Sequence, residues 1–86
     1  MNFEKQAELF KLLSNPIRLQ IIDILNKNET SLDELTKIIG IRKPNTSQHL
    51  AVLKYTKIIT SRRGGKRTFY RLVNLRLKKL LEAIAT

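Results

Sequence analysis

The chain contains no cysteine, which excludes disulfides, thiolate zinc sites and cysteine nucleophiles but leaves the redox compartment open. No stretch approaches the roughly 18 consecutive apolar residues of a membrane-spanning helix. The opening MNFEKQAELF lacks the basic-then-apolar layout of a secretory leader, so the chain as it stands is expected in the cytoplasm. Repeats, low-complexity tracts and linkers are also missing, and 86 residues predict a single domain, 1–86. A chain this short buries only about 60% of its extended surface, which makes a core shared with a partner an advantage. Histidine occurs once, at position 49, and between residues 35 and 81 there is no aspartate or glutamate.

That last scarcity organises the rest. Residues 1–34 carry six acids and four bases, residues 35–81 carry thirteen bases, and the chain as a whole is at +10. A solvated surface ordinarily mixes signs. A block of one sign over 47 residues points to a polyanionic partner, nucleic acid before an anionic membrane surface.

Apolar residues Phe3, Ala7 and Phe10, with Leu9, Leu12 and Leu13 beside them, predict a helix over Asn2–Leu13. Asn15 then suits a cap and Pro16 a first helical position, opening a helix to about Lys27. That helix is apolar on more than one side and is expected to be the most buried. Ser31 and Glu34 form a capping box for a third helix with Leu32, Leu35, Ile38 and Ile39 on one face, stopped by Gly40. Pro44 begins a fourth helix to about Tyr55. Two short helices joined by a tight glycine turn, spanning 31–55, are a helix-turn-helix signature. Two β-rich runs around Gly64-Gly65 predict a hairpin over 58–73. Leu75, Leu77, Leu80, Leu81 and Ile84 predict a closing helix over 74–86. The order α-α-α-α-β-β-α is that of a winged helix-turn-helix, mainly α with a small β-hairpin.

With Thr46 pointing inward, Leu50 and Leu53 share its face and His49 lies at the edge. Gln48 and Ala51 point outward, flanked by Asn45 and Ser47, with Arg42 and Lys43 at the helix start. Such a helix, thin and polar on its outer side, can enter a major groove: Asn45 and Gln48 can each make a two-bond contact with adenine, and Ser47 can bond a base or a phosphate. The free N–H groups at the helix start offer a further phosphate site. Base reading is therefore assigned to Asn45, Ser47, Gln48 and Ala51. Backbone contact is assigned to Arg42, Lys43, His49, Lys54, Arg62, Arg63, Lys66 and Arg67. If Gly64-Gly65 is the turn, Arg63 faces Lys66 and Arg62 faces Arg67, like charges that phosphates would neutralise. A turn that includes Lys66 changes the partners but not the charge density. Ile59, Tyr70 and Leu72 share a face that anchors the hairpin, although Tyr70 could instead touch nucleic acid.

His49 lacks the company of a metal ligand or a catalyst. No second histidine exists, the acid-free block offers no carboxylate, and Ser47 points away from it. Neither a metal site nor an enzyme constellation is expected, and no cofactor; His49 reads as a contact to backbone or phosphate.

LFKLLSNPIRLQIIDIL, TSLDELTKIIGIRKPNTSQHLAVLK and GGKRTFYRL, in that order and spacing, resemble the ArsR (ArsR/SmtB) family of bacterial and archaeal winged-helix repressors. The resemblance runs from about Leu9 to Leu72. It implies a homodimer joined through the first and last helices, 1–13 and 74–86, on a near-palindromic double-stranded operator. Phe3, Ala7, Phe10, Leu77, Leu80, Leu81 and Ile84 are the matching interface residues, which could also serve the protomer's own core. Two recognition helices would then sit about 34–36 Å apart, one turn of DNA. The resemblance also has gaps. Ser31 and Asp33 stand where many members carry metal-sensing cysteines, and NLRLKKLLEAIAT lacks the Asp and His pairs others use, which implies a metal-independent repressor. Arg42 replaces a capping serine, Thr46 a small apolar residue and Lys57 a glycine. Arg18 matches the family's arginine, and can either reach a phosphate or tie helices together. The alternatives are an architectural or protein-docking winged helix that binds DNA without reading it, and membrane-surface binding through RLKKLLEAI.

Overall fold

A computed structural model describes residues 2–85. Five helices and three strands follow in the order α1 (Glu4–Leu13), α2 (Pro16–Lys27), β1 (Thr30–Ser31), α3 (Leu32–Ile39), α4 (Lys43–Tyr55), β2 (Ile59–Gly64), β3 (Arg67–Leu72) and α5 (Leu75–Ile84).

The helix boundaries are set by side chains that satisfy otherwise orphaned backbone donors. Asn15 Oδ1 accepts from the N–H groups of Ile17 and Arg18 at 3.0 and 3.2 Å, with Pro16 in the first turn of α2. Ser31 Oγ accepts from Glu34 N–H at 3.1 Å, half of the expected capping box. Asn74 Oδ1 accepts from Leu77 N–H at 3.0 Å and opens α5. Gly40 ends α3 with φ +78°, in the left-handed region where a Cβ is unfavourable. At α4 no side chain caps: Arg42 holds the position without such a bond.

The core is formed by Ile21, Ile22 and Leu25 of α2, Leu35 of α3, Leu50 and Leu53 of α4, Ile58, Ile59 and Leu77, with Leu13 at its margin. Burying each such side chain contributes about 1.5–3 kcal/mol. Thr46 is the fully buried polar member, and its hydroxyl donates to the Arg42 carbonyl at 3.3 Å, so the residue that replaces an apolar one leaves no unpaired group. Ile58 ties the wing to the helices: its N–H donates to Leu53 O at 3.0 Å, and its carbonyl accepts from Val73 N–H at 3.0 Å.

Several expectations are corrected. The hairpin is part of a three-stranded antiparallel sheet in the order β1-β3-β2, because Thr30 and Ser31 pair with Tyr70 and Phe69. The wing register is one step away from the expected one: Gly64 faces Arg67, Arg63 faces Thr68 and Arg62 faces Phe69, so the turn is Gly65-Lys66 and the like-charge pairs do not form. In this register a Cβ on Gly64 would lie 2.9 Å from Phe69 Cε2, so glycine suits the strand where the ring crosses, and Gly65 with φ +64° opens the two-residue turn. Ile38, which shares the apolar face of α3 with Leu35, is 54% exposed. Ile59, Tyr70 and Leu72 do face the core together.

Candidate nucleic-acid interface

α4 presents Asn45, Ser47, Gln48 and Ala51 to solvent, with Thr46, Leu50 and Leu53 buried behind them and His49 half-buried at the edge. The four outward side chains are short or uncharged, and the helix axis can come close to whatever they touch. The helix start offers fewer free donors than its position suggests. Pro44 has no N–H, and Asn45 N–H already donates to Arg42 O at 3.0 Å. Anion binding there must fall mainly to side chains.

Those side chains fall into two groups. Arg42, Arg63, Lys66 and Arg67 have no acidic partner among the described residues. Lys43 Nζ instead lies 2.9 Å from Asp33 Oδ1. The Arg62 guanidinium grips Glu29, with Nη2 to Oε1 at 2.7 Å and Nε to both oxygens at 3.1 Å, and it lies 4.7 Å over the Phe69 ring. The Glu29 carboxyl is held below its usual range, first by the hydrogen bond from Arg62 and then by the charges of Arg62 and Arg71, against desolvation. Lys54 Nζ donates to Ser61 Oγ at 2.7 Å, which links α4 to β2. The start of α4 and the wing meet at a cleft of about 220 Å³ bounded by Asp33, Lys43, Arg63, Lys66 and Arg67.

His49 and Arg18 are joined. Arg18 Nε donates to His49 Nδ1 at 3.2 Å, and Arg18 Nη1 donates to Leu12 O at 3.4 Å. Of the two roles open to Arg18, the structure supplies the tie between helices. Accepting at Nδ1 leaves the neutral ring with its N–H on Nε2. Desolvation, then the Arg18 charge, pushes the His49 pKa below its usual value.

A second feature lies away from the basic face. An apolar groove of about 240 Å³ runs between α1, α2 and α5, bounded by Phe10, Leu13, Leu19, Leu77, Leu80, Leu81 and Ile84. Phe3, just before α1, and Ala7 on α1 lie exposed outside it. Leu77 is only 4% exposed and belongs to the protomer core, whereas Leu19, on the helix expected to be the most buried, is 39% exposed and lines the groove. Its signal was the all-round apolar character of α2. The carboxylates of Glu29 and Asp33 were likewise missed as partners of the basic block, although they are among the last acids before it.

A helix pair turned at glycine, an exposed polar second helix and a basic hairpin beside it define a winged helix-turn-helix domain. Comparison with known proteins agrees at the level of sequence and of backbone. The model of the family described as "Bacterial regulatory protein, arsR family" matches residues 15–61. A biofilm growth-associated repressor of Xylella fastidiosa is 41% identical over 80 residues, covering 93% of this chain and 70% of that protein. The crystal structure of the transcriptional repressor BigR from Xylella fastidiosa superposes with a TM-score of 0.82 at 39% identity, covering 94% of this chain and 83% of the other. A solution structure from Mycobacterium bovis, described as a homodimeric winged helix-turn-helix DNA-binding domain, gives 0.78 at 30% identity, over 99% of this chain and 87% of the other.

The chain belongs to the arsR family of bacterial regulatory proteins, and its architecture is that of a transcriptional regulator. Ser31 Oγ caps α3 and Asp33 pairs with Lys43. Among the described residues no three His, Asp or Glu side chains converge to hold a metal ion, and no helix is long and apolar enough to cross a membrane.

Proposed function

We propose that this protein is a homodimeric, sequence-specific repressor that acts on double-stranded DNA without a metal cofactor, at the nucleoid in the cytoplasm. The observation that carries the reading is the outward face of α4, where Asn45, Ser47, Gln48 and Ala51 stand uncharged between the unpaired cations of Arg42 on one side and Arg63, Lys66 and Arg67 on the other. Uncharged short groups read base edges and cations hold phosphates. Lys43 and Lys54 join the backbone set with contacts of their own to exchange, and His49 offers its Nε2–H to a phosphate. Arg62, bound to Glu29, acts as a support of the wing before it acts as a contact.

The apolar groove between α1, α2 and α5 supports a second copy as partner, with Phe10, Leu19, Leu80, Leu81 and Ile84 meeting across a two-fold axis. Such a dimer places two α4 helices on one side of the duplex, which predicts an operator with half-sites about one helical turn apart. Selection of bound duplexes from a random pool, followed by footprinting, tests the reading. Recovery of a near-palindromic consensus with confined protection is expected; uniform affinity across the pool would favour the architectural alternative.

A further inference from the structure

Acids and bases are segregated along this chain, yet two carboxylates from the acidic part reach the basic face. Glu29 supports the wing through Arg62. Asp33 does something different, because it lines the cleft between α4 and the wing where four cations converge. Its Oδ1 lies 2.9 Å from Lys43 Nζ, and both side chains are more than half exposed, open to a competitor from solvent. The Asp33 carboxyl is held below its ordinary range by the hydrogen bond from Lys43, then by the Lys43 charge, with Arg67 and Lys37 adding to it. Position matters as well. Asp33 sits in the first turn of α3, where the helix dipole favours an anion, while Lys43 opens α4, where the dipole disfavours a cation. The carboxylate therefore relieves a charge that the fold otherwise places badly.

Resting on the DNA-binding reading above, we propose that Asp33 is a built-in stand-in for a DNA phosphate. Its carboxylate holds Lys43 in the cleft and yields that contact when the duplex backbone docks. A phosphate must then win Lys43 from a partner already in place. That competition is blind to base sequence. Asp33 lowers affinity for every duplex by the same factor, leaves the ratio between operator and other sequences unchanged, and so raises the protein concentration at which any duplex is occupied. It is a positioning residue acting through Lys43, distinct from the base-reading side chains.

The test compares wild type, Asp33→Asn, Lys43→Gln and the double variant by fluorescence anisotropy against a mixed-sequence duplex and the selected operator, over a range of salt. Asp33→Asn is expected to tighten both duplexes equally, by about threefold to tenfold, and to steepen the salt dependence by up to about one ion, the slope of roughly 0.9 per phosphate contact. In the Lys43→Gln background the same change should alter affinity less than about twofold. An equal gain in both backgrounds would show a diffuse charge effect and overturn the proposal. Unchanged or weakened binding by Asp33→Asn, with a wild-type circular dichroism melt, would also overturn it and leave the residue as a helix-start stabiliser. If wild type binds neither duplex in dilute salt, the DNA-binding reading itself falls; if it binds and the variant is indistinguishable, only the role of Asp33 falls.

Discussion

Lys57 follows α4 with φ +61°, a left-handed conformation that costs a residue with a Cβ about 1–2 kcal/mol. The chain makes the turn that glycine would make and bears the strain. Lys57→Gly removes that strain but adds backbone freedom to the unfolded chain, worth about 0.5–1 kcal/mol. The expected result is a modest net stabilisation of about 0.5–1 kcal/mol, read as a higher urea midpoint with unchanged slope. Two substitutions on the interface separate reading from holding. Gln48→Ala should weaken the selected operator by about 1–3 kcal/mol and relax base preference at one position. Arg67→Ala should weaken all duplexes alike and lower the salt slope by about one. Equal effects of both on base preference would contradict the division of labour between α4 and wing.

Elements are joined by pairs that are distant in sequence, and these pairs respond to pH. His49 couples α4 to α2 only while Nδ1 can accept from Arg18. Its folded pKa lies below its ordinary value near 6.5, so the unfolded chain binds the proton first. The linkage stability is full above pH 6.5 and falls as pH drops from there to the depressed value. Glu29 and Asp33 are carboxyls with lowered pKa values, so their contributions are present above their ordinary values near 4.5 and 3.8 and are lost as pH falls through the depressed ones. Thermal melts are expected to decline in two stages on acidification, the first abolished in His49→Gln and the second reduced in Glu29→Gln. The wing has its own steric requirement. Gly64→Ala places a methyl group 2.9 Å from the Phe69 ring and should destabilise the domain by about 1–3 kcal/mol, visible as a lower urea midpoint.

At the scale of the molecule the helices at the two ends are the least covered part. The radius of gyration is 13.0 Å, against about 12 Å for a compact chain of this length, and the long dimension is 45 Å. Phe3 and Ile84 are 62% and 65% exposed, and the groove beside α5 is almost wholly apolar. A second copy would bury this surface, completing a core that 84 described residues leave partly open. Leu80→Glu puts a charge into that groove. It should leave helicity intact, shift sedimentation to a monomer, and reduce operator affinity far more than affinity for a half-site.

What could be read without coordinates was what local chemistry controls: the spacing of apolar residues, the caps at Asn15 and Ser31, the stop at Gly40, and the acid-free block that marks the basic face. The first three depend on neighbours within one or two helical turns and the last on composition alone, so each leaves a mark in the order of residues. β1 left none, since two residues carry no periodicity and Thr30-Ser31 becomes a strand only by pairing with Tyr70 and Phe69. The wing register was equally illegible, because Gly64-Gly65-Lys66 permits two turns one residue apart, and the one adopted sets the Phe69 ring against Gly64. Arg18 with His49, Glu29 with Arg62 and Asp33 with Lys43 are separated by 31, 33 and 10 residues, and whether such charges pair is decided by how helices and sheet stack. Composition thus determined that this chain has an electropositive face around a thin polar helix; packing decided which of those cations are free, because a charge is neutralised by what lies beside it in space.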